Sequence, residues 1–379
     1  MKITEIAGYH LKYTPRVPLG NSRTFIRIRE VLAVELKTDT GHAGWGDVFA
    51  SPWAAAAFIR QRFGRTLLGK SPELYGRLYA EMLDTVGYDR RGPAMMAISS
   101  LDLALHDLAA RIRGQRIADL LGGALRERMP AYASGPFIRE GAAPYAGFEA
   151  EAEQQARRGF RYLKPRAGVD PRADGMMVSS LRKALGPEIG LMVDINQGYT
   201  ARAAVMAARR MEAADLLWIE EPVMPEDLPG YRAVAAATPI PIAGGEALAS
   251  LAAYRDFVQT GVGVLQPDMT VCGGFSGFRA IASLAAAYDL PVMPHVFSSA
   301  INLHASLQMA ALLPPRKAGA AHPYPLIEYD ATDNPLLELF GSPVAKDGTI
   351  ALPEGPGLGI DIKAAMLEPW TIERWSLKP

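Results

Sequence analysis

Leu216-Leu217-Trp218-Ile219-Glu220-Glu221-Pro222 is a short apolar run that stops abruptly at two glutamates and a proline. A run of this length, bounded by a breaker, reads as a strand. The pattern repeats on both sides. Residues 190–196 make a similar run ending Asp194-Ile195-Asn196, and residues 240–246 one ending Gly245-Glu246. Further out, strands are predicted over 129–134, 161–166, 262–269, 290–296 and 326–329. Helical patterns separate the first seven, for example over 202–213 and 274–288. Repeated βα units that can close on themselves predict an α/β fold of TIM-barrel type rather than an open Rossmann sheet. No GxGxxG follows an early strand, so a dinucleotide site has no support.

The region before the barrel has a different texture. Ile3, Ile6 and Leu11 lie in one apolar segment, and Val31-Leu32-Ala33-Val34-Glu35-Leu36 forms a second. The second ends in the turn Thr38-Asp39-Thr40-Gly41, ahead of Ala43-Gly44-Trp45-Gly46. Residues 15–29, rich in Pro, Gly, Arg and Ser, read as a loop. A helix is predicted over 93–113 from the spacing of Ile98, Leu101, Leu105 and Leu108, and Gly122-Gly123 reads as the C-cap closing the region. The expected organisation is an α+β domain over 1–125 and a barrel over 126–350. The tail, 351–379, is expected to pack back on the first domain.

Composition excludes several functions. The 379 residues are 49% apolar and 21% charged, ordinary values for a globular enzyme. Lys and Arg number 40 and so do Asp and Glu, so no global field favours nucleic acid or an anionic membrane. Apolar runs are broken before they could span a bilayer, and the N-terminus carries no apolar signal segment. Cys272 is the only cysteine, which rules out an internal disulfide or a cysteine-based metal site. A cytoplasmic setting, a small-molecule substrate and a homo-oligomer are expected.

In a barrel of this type the C-terminal strand ends build the active site. Here they carry Lys164-Pro165-Arg166, Asp194, Glu220-Glu221, Glu246, Asp268, His295 and Glu328 in succession. Asp194, Glu220 and Glu246 come from consecutive strands, one βα unit apart. Three hard oxygen donors with open positions suit Mg²⁺, and without a cation the trio would repel strongly. Asp268 and His295 come from adjacent strands and can form a carboxylate–imidazole dyad, a general base. Lys164 and Arg166 are two apart, so both point the same way and invite a carboxylate. An ion pair with the acidic ring is their structural alternative.

These residues resemble the enolase superfamily, in particular the mandelate racemase subgroup of the mandelate racemase/muconate lactonizing enzyme family. The resemblance rests on Lys164-Pro165-Arg166, Val193-Asp194-Ile195-Asn196, Trp218-Ile219-Glu220-Glu221-Pro222, Ala243-Gly244-Gly245-Glu246, Gln266-Pro267-Asp268, Pro294-His295 and Ile327-Glu328. It implies a (β/α)7β barrel under an α+β capping domain, with Glu220 rather than Glu221 as the metal ligand. It also implies an enediolate mechanism in which Mg²⁺ and Lys164 neutralise one side of the developing dianion. Glu328 would donate a hydrogen bond on the other side.

This chain departs from the family at Arg166, where the second lysine, usually a base, is expected. An arginine is a poor proton acceptor at neutral pH. His295, backed by Asp268, remains as a single base. Loss of a β-hydroxyl then gives dehydration of a sugar acid, the favoured expectation. A sugar-acid lactone cycloisomerase is the alternative, followed by a racemase or epimerase. A Schiff-base aldolase using Lys164 covalently would not need the acidic trio, and a non-catalytic scaffold would have lost more of the ring. Arg16, Arg23, Arg27 and Arg29 are expected in a loop over the barrel mouth. There they would either be solvated or bind distal hydroxyls or a second carboxylate.

Overall fold

Three antiparallel strands open the chain: β1 (Ile3–Tyr13), β2 (Arg29–Thr38) and β3 (Ala43–Val48). The computed structural model describes residues 1–87, 90–315, 324–339, 345 and 347–379. Helix α1 (Gly92–Ile112) lies across this sheet. Its contact face is Ile98, Leu101, Leu105 and Leu108, all fully buried. Gly44 and Gly46 permit the close approach. A Cβ on Gly44 would stand 2.5 Å from Ala104 O and Leu108 N, and one on Gly46 would run into the Ser100 carbonyl. Any larger residue at Gly46 would force the sheet off the helix, an overpacking cost of about 1–3 kcal/mol.

The expected loop over 15–29 is more ordered than its composition suggested. It contains a short hairpin, Leu19–Gly20 paired with Phe25–Ile26, and its last residue already belongs to β2. Gly122-Gly123 closes this region as expected, but after a later helix and not after α1. Helix α1 ends ahead of Gly114 at φ 64°, and the glycine pair follows a separate short helix, Ile117–Leu120.

The barrel strands are β4 (Arg128–Ser134), β5 (Tyr162–Lys164), β6 (Gly190–Asp194), β7 (Leu216–Glu220), β8 (Ile242–Gly244) and β9 (Val264–Leu265), then β10 (Ile327–Asp330). They pair in parallel in chain order, and β10 returns to β4, with Glu328 opposite Tyr132. The segment expected as a strand over 290–296 makes only isolated bridges, Leu265 to Val292 and Asp268 to His295. Leu265 N donates to Pro291 O (3.0 Å), Met293 N to Leu265 O (3.0 Å) and His295 N to Pro267 O (3.2 Å), while Pro291 and Pro294 have no amide N–H to extend this pairing. Helices follow the first seven barrel positions, the last being α2 (Ala300–Ala310). This is a (β/α)7β barrel. The C-terminal strand β11 (Thr371–Leu377) pairs with β1, tying the tail to the capping sheet.

Candidate active site at the barrel mouth

Alternation along the strands builds the site, because every second residue faces the same side. A buried residue from the barrel interior is followed two positions later by a polar one at the mouth. The pairs are Tyr132 and Ser134, Met192 and Asp194, Trp218 and Glu220, Met293 and His295, Leu326 and Glu328. Val264 is followed by both Gln266 and Asp268. The apolar members plug the barrel, and a fully buried side chain such as Trp218 contributes about 1.5–3 kcal/mol or more. The polar members are left stacked above a dry floor.

Asp194, Glu220 and Glu246 each offer one oxygen, and the three lie within 4.8 Å of one another. Two of the three carboxylates are oriented from behind. Asn196 donates to Asp194 from its backbone N (2.8 Å) and its amide (3.0 Å), and Trp218 Nε1 and Gln266 Nε2 donate to Glu220 Oε2 at 2.9 and 2.6 Å. Burial raises the pKa of all three carboxyls, and the relief from Arg166, Lys164 and His295 does not cancel it. At this spacing two carboxylates repel by roughly 3–4 kcal/mol at an effective dielectric of about 20. Asp194, Glu220, Glu246, Asp268 and Glu328 share three cations, Lys164, Arg166 and His295, so the cluster is short of positive charge. The donor set fits a hard divalent cation. Glu221 leaves the strand at φ 40° and takes both of its hydrogen bonds, 3.0 and 2.9 Å, from Gln197 Nε2.

His295 Nδ1 stands 2.6 Å from Asp268 Oδ2, and Asp268 Oδ1 accepts from the backbone N and hydroxyl of Thr270 at 2.6 Å each. The aspartate is thereby fixed, and it fixes the imidazole. His295 Nε2 points to the acidic cluster, 3.4 Å from Glu246 Oε2 and 3.9 Å from Glu328 Oε2. Burial lowers the imidazole pKa, but Glu246, Glu328 and Asp268 outweigh it and hold it up to about 10.

Lys164 Nζ lies 2.5 Å from Glu220 Oε1 and 3.0 Å from Glu328 Oε1, while Arg166 pairs with Asp194 and donates to Ser134 Oγ at 3.0 Å. Burial opposes both charges, yet the surrounding carboxylates raise both pKa values, so both remain cations. For Glu328, burial is overcome by Lys164, His295 and Arg166, which hold its carboxyl well below the usual range. With those cations beside it Glu328 is held as a carboxylate, whereas the resemblance implies a hydrogen-bond donor. A donor role requires that it first take up a proton.

The basic loop does not behave as one unit. Arg29 is buried and bound to Asp330 at 2.6 Å, so it is not a free ligand-binding group. Arg16 and Arg27 are exposed and pair with Asp333 and Glu140. Arg23 extends over the barrel mouth, where Nη1 is 3.3 Å from Gln197 Oε1. Ser22 anchors this hairpin by donating to Ile195 O at 2.6 Å. Ser134 and Gln266 were missed as site residues, although both sit at strand ends in the right register.

Residues 5–122 match the mandelate racemase / muconate lactonizing enzyme N-terminal domain, and residues 147–366 the enolase C-terminal domain-like family. The chain belongs to the mandelate racemase/muconate lactonizing enzyme family of the enolase superfamily. It is 33% identical to D-galactarolactone cycloisomerase of Agrobacterium fabrum over 96% of this chain and 97% of that one. Its structure superposes on 3,6-anhydro-D-galactonate cycloisomerase from Zobellia galactanivorans with a TM-score of 0.88 and 29% identity, covering 98% and 100% of the two chains. It also matches an L-talarate/galactarate dehydratase variant liganded with Mg and L-glucarate, with a TM-score of 0.87 and 26% identity over 100% and 94%. Relatives thus include sugar-acid dehydratases and cycloisomerases, and the protein is an enzyme. Among the described residues no helix is long and apolar enough to cross a membrane.

Proposed function

We propose that the protein removes the α-proton of a sugar acid or its lactone and expels a β-oxygen, with Mg²⁺ held by Asp194, Glu220 and Glu246. When bound, the cation supplies positive charge to the substrate carboxylate as the enediolate forms. Lys164 and Arg166, both charged, bind and orient that carboxylate from the β5 side. His295 Nε2 takes the α-proton from the opposite wall, and Asp268 stabilises the resulting imidazolium. The C–H electron pair moves into the carboxylate, then returns to form a C=C bond as the β-oxygen leaves, and the enol becomes a 2-keto acid. The observation that carries this reading is the single Asp268–His295 base facing two permanent cations. A second base, which racemisation needs, has no candidate at Arg166. A Schiff base at Lys164 is disfavoured because the surrounding carboxylates hold that amine protonated.

Expulsion of a ring oxygen is the preferred reading, because the likeness to D-galactarolactone cycloisomerase spans nearly all of both chains. Dehydration, favoured from the sequence, is the second reading, supported by the likeness to the dehydratase liganded with L-glucarate. Mass spectrometry of the product separates them. Cycloisomerisation of a sugar lactone conserves mass, and dehydration of an open-chain acid loses one water. A library of aldarates, aldonates and their lactones from which neither product forms would refute both.

The base must be neutral to act, and Glu246, 3.4 Å from its Nε2, opposes that. Replacing Glu246 by Gln removes a negative neighbour, destabilises the imidazolium and lowers the His295 pKa from about 10. Titration of ¹⁵N-labelled imidazole by NMR should show the same downward direction when Mg²⁺ is added to the wild type. An unchanged His295 titration in Glu246→Gln would contradict the coupling.

Arg23 is the arginine placed to read the far end of a substrate. If it pairs with a second carboxylate, Arg23→Gln should raise KM for a diacid by roughly 10–100-fold, the value of a charged hydrogen bond of about 1.5–3 kcal/mol. The matching monoacid should be unaffected. Equal KM changes for both would mark Arg23 as a solvated loop residue.

A further inference from the structure

Among the described residues, no backbone ladder joins the seventh barrel segment to β10. This seam carries the two acid–base groups, His295 on one side and Glu328 on the other. Val296 N donates to Glu328 Oε2 at 3.2 Å across it, beside the 3.9 Å approach of His295 Nε2 to the same oxygen. A base whose distance to its partners matters is thus mounted on the least hydrogen-bonded part of the barrel wall.

The capping sheet supplies what the barrel lacks. Arg29, the first residue of β2, spans the seam with one guanidinium. Nη1 donates to Asp330 Oδ2 at 2.6 Å on β10, and Nη2 donates to Phe297 O at 2.8 Å on the other side. The guanidinium also lies 3.9 Å from the Phe297 ring centroid. Asp47 of β3 holds the next two residues. Its Oδ2 accepts from Ser298 Oγ (2.6 Å), Ser299 Oγ (2.7 Å) and Ser299 N (3.3 Å). Ser299 is in turn the N-cap of α2. Asn334 closes the loop by donating to both Ser298 O and Asp330 Oδ2.

Asp47 is an expensive way to glue two domains. It is fully buried, its Oδ1 has no partner, and burial pushes its carboxyl up to about 6. Apolar contacts would dock the cap as well at less cost. What the polar pair adds is fixed geometry at residues 297–299, directly after His295.

We propose that Arg29 and Asp47 are positioning residues, a clasp from the cap that stands in for the missing ladder and sets His295 against Glu328. The clasp rests on the reading of His295 as the base, but its structural half can be tested without that reading. A loosened seam moves His295, and a misplacement on the order of 1 Å can cost about 10²-fold in rate.

The test uses Arg29→Lys and Asp47→Asn, which keep charge or shape, in the Mg²⁺-loaded full-length enzyme. Two readouts are needed: the ¹⁵N and ¹H imidazole resonances of His295, and kcat separated from KM. The clasp predicts that both variants melt as cooperatively as wild type, bind Mg²⁺ with unchanged affinity, shift the His295 resonances, and lose roughly 10–100-fold in kcat with little change in KM. Unshifted His295 resonances in both variants would overturn it, as would a loss that falls on KM alone. Where a variant fails to fold, the other decides, and Ser298→Ala removes one acceptor contact of Asp47 more gently. Shifted resonances with exchange that survives in His295→Asn would uphold the clasp while refuting His295 as the base, so the two failures are distinguishable.

Discussion

His295→Asn abolishes α-proton exchange and lowers kcat by roughly 10²–10⁴-fold, the range over which a positioned general base contributes. Asparagine keeps a hydrogen-bonding group near Asp268 but cannot take a proton. Asp268→Asn should act less severely, on the order of 10²-fold, because the imidazole survives but loses the carboxylate that orients it and stabilises its cation. The geometry behind this order is the 2.6 Å contact of Nδ1 with Asp268, which leaves Nε2 as the ring nitrogen turned to Glu246 and Glu328. Both effects should appear in exchange measured by NMR in D₂O and in turnover. Exchange that persists in His295→Asn would move the base to the Lys164 and Arg166 side and revive the epimerase reading.

Neutralising a carboxylate of the trio removes the cation and the activity together. Glu220→Gln should be the most damaging, because Glu220 also receives Lys164, Trp218 and Gln266. A loss of roughly 10²–10³-fold or more in kcat is expected, comparable to deleting a principal electrostatic stabiliser of the transition state. Titration calorimetry with Mg²⁺ should lose its binding isotherm. Glu221→Gln is the matched control, since that carboxylate is turned to Gln197. A metal lost in Glu221→Gln and retained in Glu220→Gln would reverse the ligand assignment.

Much of this site was legible because strand periodicity carries it. Once the run at 216–222 is read as a strand, its period places Trp218 in the plug and Glu220 at the mouth, and the same logic serves Asp194 and Glu328. What periodicity cannot supply is long-range pairing. The contact of Asp47 with Ser298 joins residues 251 apart, and nothing local to either signals it. Arg29 reads as part of a loop over the barrel mouth for the same reason, since its partners Phe297 and Asp330 are 268 and 301 residues away in the chain. The seventh strand was over-read from its apolar content. Val292 and Met293 are buried as a strand would bury them and three backbone hydrogen bonds tie the segment to β9, but Pro291 and Pro294 leave it as isolated bridges with no pairing to β10. Ionisation states were equally out of reach, because the low pKa of Glu328 depends on three cations brought together only by the fold.

The central claim is that the chemistry begins with loss of the α-hydrogen of a carboxylic acid. Its most direct test is to incubate the Mg²⁺-loaded enzyme in D₂O with sugar acids and their lactones and to follow the α-proton by ¹H NMR, with borohydride added in parallel. The account predicts that at least one substrate loses its α-proton signal on the way to a 2-keto product, and that borohydride traps nothing on Lys164. Turnover that keeps the original α-hydrogen in place, or a reduced adduct at Lys164, would contradict it.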